Sequence, residues 1–305
     1  VEEFQLDNGI KFYLVEDKEL PLIRVSATIR TGSLQDPEGK EGLASMTGEL
    51  MREGGSVNYP ADKLNVLLED KAAFMSTFIG QGSGSASMNI LKEDFDELLP
   101  VFVDLVSNPL FPEDKIELSK TQRKSGISRR NDDQGSIANR EFSKLIYGEN
   151  SPLTRQIEYA TLDAISREDI VAFHKEAFVG NNMTFGVIGD FDTKEMKRKL
   201  EKAFGSLPAG TENNLIYPEV NYSYPSTVNF INKSDVNQSY VLVGHIGGLR
   251  ENPDYAKIQM MNQILGGGFA GRLFQTVRTD LGLAYAVGGG YGSNINYPGT
   301  FSLFV

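Results

Sequence analysis

The sequence predicts an α+β fold built as two-layer α/β sandwiches, each a mixed, mainly antiparallel sheet with helices on one face. Three observations predict it. The chain opens on short runs in which apolar residues alternate or cluster as in strands. It then changes to long stretches with apolar residues at helical spacing. After a linker-like stretch the same theme starts again, so the 305 residues read as two domains. The expected division is a first domain over 1–208, a linker over 209–222 and the start of a second, homologous domain over 223–305.

Ile10–Val15 and Ile23–Thr31 read as strands joined by a turn at Asp17–Pro21. Gly42–Glu53 places Leu43, Met46 and Leu50 on one helical face, and Pro60–Lys71 does the same with Leu64, Leu67 and Leu68. Ala73–Ile79 and Gly84–Leu91 read as a strand pair around a glycine-serine turn. Lys92–Ser107 is an amphipathic helix stopped by Asn108-Pro109. Glu113–Arg130 is polar and helical, and Ser136–Tyr147 is a helix ending at Gly148. Ser166 and Asp169 form a capping-box pattern. Met183–Ile188 reads as a buried strand, and Asp192 with Glu195 starts a helix that Gly205 closes. Beyond the linker, Thr227–Ile231 and Ser239–Val243 are expected strands, Tyr255–Leu265 and Arg272–Thr279 expected helices, and Ala284–Gly289 the start of another strand.

A net charge of −11 argues against a nucleic-acid partner, which needs a basic face. No apolar run approaches the roughly 18 residues that span a bilayer. With no cysteine, disulfides and thiolate metal sites are excluded. Val1 opens directly on a strand and Phe301–Val305 reads as the middle of one, so both termini are expected to be truncated. The compartment, bacterial periplasm or cytoplasm, stays open.

Several segments carry a resemblance in order. Leu6-Asp7-Asn8-Gly9-Ile10 opens the first strand, and Gly32-Ser33 with Pro37–Ala44 leads into the helix Gly42–Met51. Asn108-Pro109-Leu110-Phe111, Tyr147-Gly148, Asn181-Asn182-Met183 and Val187-Ile188-Gly189-Asp190 follow. Leu265-Gly266-Gly267-Gly268, Gly271-Arg272-Leu273-Phe274 and Arg278 with Gly282-Leu283-Ala284-Tyr285 close the set. Together they resemble the pitrilysin/insulinase family of zinc peptidases, which includes the mitochondrial processing peptidases and their bacterial relatives. The resemblance implies the processing-peptidase type of sandwich domain.

Relatives of that kind hold zinc on a helix with the motif H-x-x-E-H, two histidines one turn apart and a glutamate that takes a proton from metal-bound water. The matching positions here are Ser45, Gly48 and Glu49. Glu49 sits one residue past the place of the base, about 100° around the helix, and reads as a solvated helix glutamate. The third ligand, a glutamate on a later helix, aligns at or near Ile127, and no acidic residue lies between Leu118 and Asn131. Of the two histidines in the chain, His174 on a surface-type helix and His245 at a strand end, each is expected to be structural. No metal is therefore expected in this chain, since a catalytic zinc needs three protein ligands.

Arg278 and Tyr285 match the family's arginine–tyrosine pair. The resemblance implies that Tyr285 donates its phenolic proton to the oxyanion and that Arg278 holds substrate carbonyls with its planar fork. The residues alone also allow a helix-end arginine and a packed strand tyrosine. Gly266, Gly267 and Gly268 read either as a substrate-facing lip or as a turn between helices. They complete a G-x-G-x-x-G, but a helix precedes it, so the dinucleotide reading fails. Ala73, Phe74 and Met75 fall where relatives pair an extended peptide to a sheet edge, though an internal strand fits them equally.

The leading expectation is a non-catalytic, substrate-binding subunit of a heterodimeric zinc metallopeptidase. Its partner, an insulinase-family subunit with the intact motif, would carry the zinc, and an extended polypeptide would be the substrate. One alternative is a purely structural or binding member, like the core proteins of respiratory complexes. Another is a zinc metalloendopeptidase with an altered site.

Overall fold

A computed structural model describes residues 1–305. It divides into two compact units, 1–127 with 157–216, and 128–156 with 217–305. The expected linker therefore does not separate the units on its own, because 128–156 groups with the second.

The first unit is a sheet of six strands: β1 (Glu2–Gln5), β2 (Lys11–Glu16), β3 (Leu22–Ile29), β4 (Phe74–Ile79), β5 (Gly84–Leu91) and β6 (Met183–Gly189). Their order is β1-β2-β6-β3-β5-β4. Only β2 and β6 run parallel; the other pairs are antiparallel. Strict alternation sets the sidedness. In β3 the inward Ile23, Val25, Ala27 and Ile29 are buried, while Arg24, Ser26 and Thr28 face out. Between β3 and β4 come α1 (Leu43–Gly54) and α2 (Ala61–Asp70). After β5 come α3 (Phe95–Ser107) and α4 (Glu113–Arg129).

In the second unit, α5 spans Gln134–Tyr147. Back in the first are α6 (Tyr159–Asp163), α7 (Arg167–Ala177), which opens with the expected Ser166–Asp169 capping box, and, after β6, α8 (Thr193–Phe204). A stack of Phe4, Phe12, Phe185 and Phe204 fills the space between β1, β2, β6 and α8, with ring centroids 4.7 to 5.7 Å apart. Mixed pairing with helices on the buried face bears out the predicted fold class.

The second unit holds β7 (Leu242–Ile246), β8 (Gly248–Leu249), α9 (Tyr255–Gly266), β9 (Gly288–Tyr291), β10 (Ser293–Asn294) and β11 (Thr300–Phe304). β7, β11 and β9 form an antiparallel sheet in that order, and β8 pairs with β10. This repeats the β3-β5-β4 arrangement of the first unit. In each, a strand leads into a helix that packs on the edge strand, α1 on β4 and α9 on β9.

Four sequence expectations need correction here, the first being Ser239–Val243, whose strand instead spans Leu242–Ile246. Thr227–Ile231 forms no strand, and Phe230 is 95% exposed. Its residues alternate as in a strand, but no strand pairs with them, and alternation alone makes no ladder. Arg272–Thr279 is not a regular α-helix, because Phe274–Asp280 is π-helical. The strand expected over Ala284–Gly289 instead spans Gly288–Tyr291. No helix is long and apolar enough to cross a membrane.

Candidate functional site

The helix that the resemblance aligns with the metal helix is α1. Buried Asp36 fixes its start, accepting from the backbone N–H of Gly42 at 2.9 Å and of Ala44 at 2.8 Å. These are amide donors that a helix N-terminus leaves unmatched, and the carboxylate also suits the helix dipole. Leu43, Ala44, Met46, Leu50 and Met51 bury the inner face. That orientation leaves Ser45 and Glu49, one turn apart, facing α4.

Across from them, Ser119 and Arg123 lie one turn apart on α4. The Arg123 guanidinium donates from Nη1 to Ser45 Oγ at 3.0 Å and from Nη2 to Glu49 Oε2 at 2.5 Å. Its Nε donates to Ser119 Oγ at 3.3 Å, and that hydroxyl donates in turn to Glu49 Oε1 at 3.0 Å. The Arg123 and Glu49 side chains are 20% and 36% exposed. Glu49 is thus not the solvated glutamate the sequence suggested. It is the anionic half of an ion pair that joins two helices. Ile127, the expected third-ligand position, packs against the hydrophobic core, and Arg123, one turn earlier, is the residue that reaches the site. Sequence reasoning passed over Arg123 and Ser119. Their spacing on a polar helix was the available signal.

Gly48, at the position of the base, is constrained by more than the missing carboxylate. A Cβ there would lie 2.4 Å from Ile79 N and 2.8 Å from Phe78 C, both backbone atoms of β4. Thr77 Oγ1 donates to Gly48 O at 2.6 Å, tying the strand to the helix at the same point. The helix rests on β4 at a distance that only glycine allows.

These residues do not fit a zinc ion. The set offers one carboxylate, already paired, and two hydroxyls, around a fixed positive charge. Nowhere in the chain do three His, Cys, Asp or Glu side chains gather to hold a metal. His174 is buried rather than on a surface helix. Its Nε2 lies 2.8 Å from Val106 O, and its ring stacks on Phe178 at 4.8 Å. Burial pushes its pKa down to about 4. His245, in β7, packs against Phe301 and Tyr224, with Nδ1 2.7 Å from Ile246 O.

The second unit brings Arg278 and Tyr285 together. Arg278 leaves the π-helical turn and donates from Nη1 to the backbone carbonyl of Tyr285 at 2.8 Å. Its guanidinium lies 4.3 Å from the Tyr285 ring centroid and 4.7 Å from that of Phe274. Such stacking holds a cation against aromatic faces while its remaining donors stay available. Phe274 meets Phe269 edge-on at 4.8 Å. Tyr285 is 83% exposed.

Of the glycines before them, Gly266 lies where a Cβ would meet Gly289 O at 2.1 Å, so it seats α9 on β9. Gly268 has φ +86° with open space around it, as a turn requires.

β4 is a sheet edge with β5 as its sole neighbour, and Phe74 and Phe78 are exposed on its outer face. Part of that edge is already bonded. Ala73 N donates to Leu68 O at 2.8 Å, and Met75 O accepts from Arg52 Nε at 3.1 Å. Met75 is buried.

Residues 12–158 match the model of the insulinase family, peptidase family M16, and residues 164–305 match that of the peptidase M16 inactive domain. The chain belongs to the M16, or insulinase, peptidase family. A Rickettsia felis protein named an uncharacterized zinc protease is 25% identical over 303 residues, spanning 98% of this chain and 72% of its own length. A Helicobacter pylori protein named non-peptidase homolog YmxG is also 25% identical, over 89% of this chain and 62% of its own. Among solved structures, a peptidase M16 inactive domain from Pseudomonas fluorescens superposes with a TM-score of 0.86 at 25% identity, covering 100% of this chain and 73% of that one.

Proposed function

We propose that this chain is a non-catalytic member of the M16 family that holds an extended polypeptide and lends Arg278 and Tyr285 to the active site of a partner subunit carrying zinc on an intact motif. The single observation that carries the reading is a contrast in construction. Arg123 is paired to Glu49 across the helix that aligns with the metal helix, while half-buried Arg278 is already stacked on an exposed Tyr285.

A phenol aimed at a developing oxyanion is worth several kcal/mol in a water-poor site. An arginine stacked on aromatic rings is positioned to donate to backbone carbonyls. The exposed part of the β4 edge supports the holding role, since backbone pairing binds peptides with little regard to sequence. The bonds already made at Ala73 and Met75 favour the stretch from Ser76 to Ile79 over the three residues first expected. The name of the Helicobacter pylori relative agrees with a silent member; that of the Rickettsia felis relative does not.

The deciding experiment mixes the chain with an M16 subunit that has both histidines and follows cleavage of an unstructured peptide. Tyr285→Phe should lower kcat at least about tenfold, which is about 1.4 kcal/mol of transition-state stabilisation. Unchanged turnover would reject the role and favour a purely structural member.

A further inference from the structure

We propose that the Arg123 guanidinium is the resident cation of this site, standing in the place of a divalent metal, clasping α1 to α4 and keeping metal out. Ser45 and Glu49 come from one helix face and Ser119 and Arg123 from another, each pair one turn apart.

All three guanidinium nitrogens are bonded within the cluster. Both Glu49 oxygens are used, one by Arg123 and one by Ser119. The Ser45 hydroxyl accepts from Arg123 and donates to Gly42 O at 3.0 Å. A metal would have to displace a fixed positive charge that already neutralises the one carboxylate present. A bound zinc ties its ligands rigidly together; here a charged, planar fork does so with ordinary hydrogen bonds. The inference is independent of any role for Arg278 and Tyr285, and either can fail without the other.

Two sets of variants test it, each checked for native secondary structure. Glu49→Gln and Arg123→Gln should each lower Tm by about 3–8 °C, as expected for losing one partner of a half-buried pair in a unit of this size. The exchange Glu49→Arg with Arg123→Glu should recover at least half of that loss. Single variants with unchanged Tm would overturn the clasp.

The second set asks whether Arg123 sits where a metal would. Ser45→His with Glu49→His, Arg123 retained, should purify without zinc. Adding Arg123→Glu should give about one zinc per chain by elemental analysis, with a Tm that falls on chelation. Equal zinc content with and without Arg123 would overturn the exclusion, and a folded triple variant that takes up no zinc would overturn the placement.

Discussion

The clasp between α1 and α4 and the Arg278–Tyr285 pair both set a guanidinium beside a group of opposite polarity, yet they differ in every respect that bears on chemistry. Arg123 has each nitrogen bonded and a carboxylate beside it. Arg278 spends one bond on a backbone carbonyl and rests on two rings. The first arrangement consumes its own bonding capacity and can only hold the fold. The second is held by stacking and keeps donors for something else.

The largest expected effect tests how firmly the first site is shut. Gly48→Glu should destabilise the first unit by about 3 kcal/mol or more, because the new side chain begins inside the backbone of β4. Denaturant unfolding measures it. A variant as stable as the parent would mean that α1 can lift from β4, and the contrast between sealed and open sites would weaken.

Acid should loosen the same unit. His174 has a folded pKa near 4, below its unfolded value, so it contributes stability fully present above about pH 6.5 and lost as pH falls toward 4. The loss amounts to about 3 kcal/mol for a group this deeply buried. His174→Phe should flatten that part of the stability–pH profile.

At the open pair the pattern should invert. Arg278→Lys keeps the charge but gives up the fork and the stacking, so KM for peptide in the mixed assay should rise about three- to tenfold, equivalent to about 1 kcal/mol. Its Tm should match the parent. A shift in Tm with no change in kinetics would assign Arg278 a packing role instead. The smallest expected effect is none: a strong chelator should leave the Tm of the purified chain where it was. A chelator-sensitive Tm would place a metal in the chain and contradict the reading of Ser45, Glu49 and Arg123.

How far the sequence reached depends on the range of the interactions involved. Periodicity in β3 and in α1 is local, and the strands and helices of the first unit fall where it puts them. The residues Ser45, Gly48 and Glu49 at the aligned motif positions were equally plain, since they are a matter of residue identity. Thr227–Ile231 shows the limit, because a run with strand alternation becomes a strand only when another strand supplies the hydrogen bonds. Glu49 shows it again. By helix geometry it points away from the place of the base, and nothing local said that Ser119 and Arg123, about seventy residues on, would meet it.

By itself, then, the sequence determined the class of fold and the family, because each depends on residue type and near spacing. Tertiary structure alone decided that Arg123 reaches Ser45 and Glu49 and that Gly48 seats α1 on the backbone of β4. Those outcomes depend on distances between elements far apart in the chain, which packing fixes and local composition does not encode.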